Sequence, residues 1–150
     1  MSAANARAPR AGRDAYRHFE AITTRWHDND VYGHVNNVVY YAWFDTAVNA
    51  NLVRRRLLSL GESSVVGIVA ENSCRYHASV AFPDRIAVGL RVAHLGRSSV
   101  RYELGIFRED DTLAAAEGHL VHVYVDRASM RPVAMPAPVR AALSDLLVDS

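Results

Sequence analysis

The chain has no lysine: all 17 of its basic residues are arginine. Schiff-base chemistry on a side-chain amine and a phosphate-loop lysine are therefore both excluded, and only the α-amino group could imitate the first. A single cysteine, Cys74, cannot form an internal disulfide. Long apolar runs are missing too, since the stretch Val65 to Ala70, itself broken by Gly67, is far short of the roughly 20 residues of a membrane helix. Charge of one sign is scarce. With 17 basic against 16 acidic side chains, the basic footprint of a nucleic-acid binder is absent. What remains is a 150-residue chain, half apolar and 22% charged, enough for one domain with a continuous core. The expectation is a soluble, cytoplasmic protein with no nucleic acid and no membrane among its partners.

Residues 1–17 carry Arg7, Arg10, Arg13 and Arg17 against Asp14, among Ala, Pro, Gly and Ser. This Arg-rich, acid-poor composition is also that of an organelle transit segment. With almost no apolar face, however, it is expected to be a disordered leader, which leaves 18–150 as the folded domain.

From Phe19 to Asp28 the residues suit a strand, and Asn29 to Asn36 is full of turn formers. Between Asn37 and Leu60 there is no Pro or Gly, and Val38, Tyr41, Ala42, Val48, Leu52 and Val53 recur at helical spacing, which predicts one long helix. Asn36 or Asn37 can cap its start, Arg54, Arg55 and Arg56 suit the negative end of its dipole, and Gly61 offers a left-handed stop.

After Gly61 the period falls to two, which predicts strands. Ile68, Ala70, Cys74, Tyr76, Ala78, Val80 and Phe82 form one apolar set. Ile86, Val88, Leu90 and Val92 form the next, then Val100, Tyr102, Leu104 and Ile106, then Val121, Val123 and Val125. Turn signals separate them at Pro83-Asp84, Leu95-Gly96-Arg97 and Glu109-Asp110-Asp111, so four antiparallel strands joined by short turns are expected. Beyond Pro132, Pro136 and Pro138, a short amphipathic helix is expected on Val139, Ala142, Leu143, Leu146 and Leu147. The fold class is thus α+β: a single domain whose curved antiparallel sheet wraps around one long helix.

Polar density peaks in one stretch, from Arg25 to Asn37. Two carboxylates, two imidazoles and three amides stand there between a strand and the first turn of a buried helix. The free N–H groups and positive dipole end of a helix start can hold a developing oxyanion. A carboxylate a few residues earlier can face the same carbonyl carbon as nucleophile or as base for water. A metal site on His27, Asp28, Asp30 and His34 is disfavoured, because Tyr32 and Val39 occupy the fifth and twelfth positions of the calcium-loop pattern. The plainest reading is a turn whose aspartates satisfy backbone donors while the asparagines cap the helix.

The run Asp28-Asn29-Asp30-Val31-Tyr32-Gly33-His34-Val35-Asn36-Asn37-Val38-Val39-Tyr40, followed by Phe44-Asp45, resembles the signature of hotdog-fold thioesterases of the 4-hydroxybenzoyl-CoA thioesterase type. The resemblance covers about residues 18 to 130. It implies a sheet around a central helix, and hydrolysis of acyl-CoA to a carboxylic acid and free coenzyme A with no metal or organic cofactor. It assigns the catalytic carboxylate to Asp30, as nucleophile or base, and carbonyl polarisation to the backbone N–H of Asn37. Related enzymes carry a histidine or tyrosine where Asn37 stands, so only the backbone role carries over. The His-Val-Asn-Asn stretch is similar to plant acyl-carrier-protein thioesterases, which implies a catalytic part for His34; their intervening asparagine is Tyr32 here. Gly33 would help to shape the pocket and Asp28 would be a turn residue. The family's nucleotide-contacting turn resembles Leu95 to Ser99, so Arg97, Ser98 and Ser99 are candidates for the coenzyme A phosphates, against an ordinary hairpin with Gly96 at positive φ.

Other residues have plainer readings. Cys74 is expected to be a core thiol. His119 and His122, three apart on a strand, face opposite ways. Asp45 is either a buried partner of the site or an exposed helix charge. Tyr40, Tyr41, Trp43 and Phe44 divide between core and an acyl or aryl pocket. The family's sites lie between subunits and an open sheet edge invites pairing, so a homodimer is expected, or a homotetramer built from it. The rival class is a non-catalytic acyl-CoA sensor on the same fold, and a hotdog dehydratase ranks third.

Overall fold

Alternating side chains make five strands, and one apolar stripe makes the helix they enclose. The structure, a computed structural model, describes residues 9–148. In chain order the elements are β1 (His18–Thr23), α1 (Asn37–Arg54), β2 (Val65–Tyr76), β3 (Arg85–Leu95), β4 (Ser99–Arg108), β5 (Ala116–Asp126) and α2 (Ala137–Ser144). All strand pairs are antiparallel, in the order β1-β3-β4-β5-β2. The curved sheet carries α1 on one face, so the α+β hotdog architecture is the one observed.

Ile86, Val88, Leu90 and Val92 of β3 and Val100, Tyr102, Leu104 and Ile106 of β4 are buried in one core with Tyr40, Trp43, Phe44, Ala47, Val48 and Leu52 of α1. Helix and sheet pack tightly at Gly118, where a Cβ would stand 2.6 Å from the Phe44 ring. On the opposite face the Tyr16 ring lies over Gly89 and Gly105, and meets Phe107 edge to face at 5.8 Å. The C-terminal helix buries Val139 and Leu143, and beyond its end Leu146 and Val148 exchange backbone bonds with Val92.

Several expectations need correction. The leader is not featureless over its second half: Gly12 bridges Leu113, Arg13–Ala15 form a 3-10 turn, and Tyr16 is buried. Residues 1–8 lie outside the described residues. β1 stops at Thr23, and Trp26–Asp28 is a separate 3-10 turn. The long helix ends at Arg54, six residues before Leu60. Arg56 takes the left-handed conformation at φ 58°, and Leu57 and Arg56 donate back to Leu52 and Val53, a Schellman closure. Gly61, also at positive φ, falls in the following loop.

The β2–β3 connection is not a hairpin. β2 lies at one edge beside β5, while β3 pairs with β1 and β4, so residues 77–84 cross the end of the sheet. β2 is also shorter than its apolar set, ending at Tyr76, and a bulge between Val69 and Glu71 breaks its parity. Cys74 therefore shares the helix side with Gly118, whereas Ile68 pairs with Val123 on the other face. Parity is reversed in β5 too. Leu120, His122 and Tyr124 face the helix in register with Tyr102 and Val100, so Val121 and Val123 face away. His122 occupies an inward position that a polarity count assigns to solvent.

Candidate active site

The segment before α1 folds into a small hairpin. Asn29 bridges Val35, Asp30 N–H donates to His34 O at 2.9 Å, and Gly33 N–H donates to Asp30 O at 3.0 Å. Gly33 sits at φ +81°, which makes it the left-handed residue of a three-residue loop. The Tyr32 N–H donates to Asp30 Oδ1 at 2.9 Å, an Asx turn. The Val35 N–H donates to Val80 O and that of Asn36 to Asp28 O, which ties the hairpin to the strand crossover and the 3-10 turn. Asn36 then caps α1, its Oδ1 accepting from Val38 N–H at 3.2 Å.

The two aspartates have different environments. Asp28 is buried and both its oxygens are engaged by Arg25, through the backbone N–H and the guanidinium at 2.8–3.1 Å. Its three donors all come from Arg25, so it ties the 3-10 turn together. Among the described residues no three His, Cys, Asp or Glu side chains are grouped for metal binding. Asp30 is half-buried, and among the described residues only its Oδ1 accepts a bond.

Asp30, His34 and Asn37 line one cleft of about 520 Å³, together with Tyr40, Tyr76 and Ser79. The sequence thus placed three of its four catalytic candidates around the same space. The fourth, Gly33, does not line it and acts through the turn. Among the described residues the Asn37 N–H has no hydrogen-bond partner, being one of the orphan donors of the helix start. Tyr76 from the end of β2 donates to Asn37 O at 2.8 Å and stacks edge to face on Tyr40 at 4.9 Å. Burial pushes the Tyr40 hydroxyl up to about 12 and raises that of Tyr76 as well, so both are neutral at ordinary pH. Chemically, the cleft offers a carboxylate with a free oxygen, an imidazole, and an unpaired N–H at the positive end of a helix.

Tyr76 and Ser79 were missed as site residues. In the sequence Tyr76 belongs to an apolar set, and the crossover that brings 76–79 against α1 is a matter of sheet order, invisible to local pattern. The turn candidates lie elsewhere. Gly96, Arg97 and Ser98 close β3 onto β4 at the opposite end of the sheet, roughly 25 Å from the cleft at about 3.3 Å per residue along β4. Arg97 is exposed, Ser98 and Ser99 are half-buried, and the carbonyls of Gly96 and Arg97 accept from Arg140. Within one chain the structure does not bring Arg97, Ser98 or Ser99 to Asp30. Gly96 is not at positive φ, contrary to the plain hairpin reading.

The remaining candidates resolve simply. Cys74 is half-buried and burial pushes its thiol up to about 11, which makes it a poor nucleophile. Asp45 is exposed. His119 and His122 do face opposite sides, the first bonded to Ser73, the second edge to face with Tyr102 at 5.8 Å. Tyr40, Trp43 and Phe44 are core, Tyr41 is half-buried, and only Tyr40 of the four also lines the cleft. No described helix is long and apolar enough to cross a membrane.

The sequence model of the thioesterase-like superfamily matches residues 24–143. Among solved structures, the PA5185 protein of Pseudomonas aeruginosa is 56% identical, with a TM-score of 0.92 over 95% of this chain and 99% of that one. A second protein of that organism, PA2801, described as a candidate thioesterase, is 30% identical with a TM-score of 0.80 over 85% of this chain and 98% of its own. Slr0204 of Synechocystis, a 1,4-dihydroxy-2-naphthoyl-CoA thioesterase, shares the fold at 17% identity, with a TM-score of 0.77 over 85% of this chain and 96% of that one. No curated protein matches the chain.

Proposed function

Because this chain belongs to the thioesterase-like superfamily, we propose that it hydrolyses acyl-CoA thioesters in the cleft of Asp30, His34 and Asn37. The single observation behind this reading is that a partly unengaged carboxylate and the unpaired N–H of a helix start line the same cavity.

The thioester carbonyl oxygen would take the Asn37 N–H, where the helix dipole favours developing negative charge. Asp30 then acts on the carbonyl carbon in one of two ways. As a base it takes a proton from water, whose oxygen attacks; as a nucleophile it forms an anhydride that water opens. In either case the carbon–sulfur bond breaks, the sulfur leaves with a proton as coenzyme A, and the acyl group leaves as a carboxylic acid. The hydroxyl-bearing Tyr76 holds the first carbonyl of α1, and His34 orients Asp30 or the water. Water is the only co-reactant, and no metal or organic cofactor is needed.

Among the described residues the outer edge of β2 is unpaired, and it exposes Val69 and Tyr76, which supports a homodimer, and a homotetramer as the next order of assembly. In such an assembly Arg97, Ser98 and Ser99 would serve the coenzyme A of a neighbouring protomer's cleft.

The test is a thiol-release screen across short, long, branched and aryl acyl-CoAs with the purified protein, run beside Asp30→Ala. Turnover by the parent, lost in the variant while acyl-CoA binding persists, is the expected result. Binding without turnover by the parent would replace the hydrolase with a sensor, and acyl-carrier-protein thioesters as the only substrates would replace coenzyme A.

A further inference from the structure

The face of the sheet turned away from α1 carries a second cluster of reactive side chains. Ser73 of β2 and His119 of β5 are direct cross-strand partners, and Ser73 Oγ lies 2.7 Å from His119 Nδ1. The other ring nitrogen, Nε2, is buried and makes no hydrogen bond among the described residues. Its charged neighbour is Glu71, two residues before Ser73 on the same strand, with Oε1 at 3.4 Å. The three line up as hydroxyl, imidazole and carboxylate, the order that activates a serine. Ser73 and His119 border a groove of about 390 Å³ whose charged lining is Arg75, Arg91 and Arg101 with Glu103 and Glu117, the last bonded to His77. Arg91 is paired with Glu103, but among the described residues Arg75 and Arg101 have no ion-pair partner.

We propose that Ser73, His119 and Glu71 form a second hydrolytic site, which takes carboxylic esters bearing an anionic group. The negative charge of Glu71, 3.4 Å from Nε2, favours the neutral tautomer that carries its proton there, which leaves Nδ1 free as the base. Ser73 Oγ bonds to the ester carbonyl carbon as its proton passes to Nδ1. The alkoxide leaves with that proton, and water, activated by the same nitrogen, releases the acid and restores the hydroxyl. Arg75, two residues along the strand and on the same face, stands beside the developing oxyanion, and Arg101 receives the substrate's own anionic group. The site lies across the sheet from the Asp30 cleft and does not depend on it.

The experiment is labelling of the full chain with a fluorophosphonate, which joins phosphorus to a reactive serine oxygen as fluoride and the proton leave. Peptide mass spectrometry locates the adduct, and hydrolysis of 4-nitrophenyl hemisuccinate is followed in parallel. Labelling confined to Ser73, lost in Ser73→Ala, cut at least about 100-fold in His119→Ala and unchanged in Asp30→Ala, is the expected result. No adduct on the folded protein, an adduct on Ser79 or another serine, or Ser73 labelling that survives His119→Ala overturns the proposal. Esterase activity lost with Asp30 rather than with Ser73 does the same.

Discussion

The two ends of α1 hold the same kinds of group in opposite states. At the C-terminal end the charged groups and the last carbonyls are matched. Arg54 is bonded to the buried Glu20, His18 adds a second contact to that carboxylate at 3.0 Å, and the Schellman bonds of Arg56 and Leu57 close the last carbonyls. At the N-terminal end the cap satisfies Val38, yet among the described residues the Asn37 N–H is left over, and Asp30 spends one oxygen on Tyr32 and none on an arginine. A protein that can pair Glu20 and Asp28 so completely has left Asp30 open where a cleft gives access to it. Unspent bonding capacity, more than residue type, separates the reactive end from the structural one.

The comparison fails first if the open end is inert. Asp30→Ala should lower kcat/KM for the best acyl-CoA by at least about 100-fold, the scale of a lost general base, while costing only about 1 kcal/mol of stability. Parallel thiol-release kinetics and thermal melts check both halves. A control away from both ends is His122, whose imidazole burial pushes down to about 4. Its folded-state value is depressed, so between about 6.5 and 4 the unfolded chain takes a proton that the folded chain refuses. Stability is therefore held above pH 6.5 and lost as the pH falls through this window, by up to about 3 kcal/mol. Urea melts should show that slope, and His122→Phe should flatten it.

At the closed end, Arg54→Ala should cost about 2 kcal/mol, less than a fully buried pair because the guanidinium is exposed and His18 stays. Turnover by the folded fraction should be unchanged; a large fall would mean the two ends are coupled. Asn36→Ala at the open end should cost about 1 kcal/mol and reduce turnover as well, because the capped amide adjoins the Asn37 N–H. The smallest effect is a gain. Arg56→Gly relieves a left-handed arginine and should raise stability by up to about 1 kcal/mol in chemical denaturation, with activity untouched.

The same contrast explains what could be read in advance. Strands β3 and β4 were legible because their apolar side chains alternate without interruption over one buried face. β2 and β5 were not: a one-residue bulge exchanges the faces of β2, and in β5 the inward places go to Gly118, Leu120, His122 and Tyr124. The helix start was legible from its asparagines, whereas its end was hidden by an arginine in a position usually held by glycine. The Asp30 hairpin is a local structure with local signals, so a sequence motif captures it. Tyr76 and Ser79 reach the cleft only because β2 is sent to the far edge of the sheet, and the Arg97 turn is kept from it for the same topological reason.

Gly118 gives this layout a mechanical side. A methyl there would fall 2.1 Å from Ser73 O and 2.6 Å from Phe44, so both the β2 backbone and the helix would have to move to admit it. Phe44 is seven residues from Asn37, about two turns, which makes the glycine a fulcrum under a rigid lever whose free tip carries the Asn37 amide. A change of one carbon at that pivot would be magnified at the tip, and the gap between amide and carboxylate could be retuned from a position that touches neither.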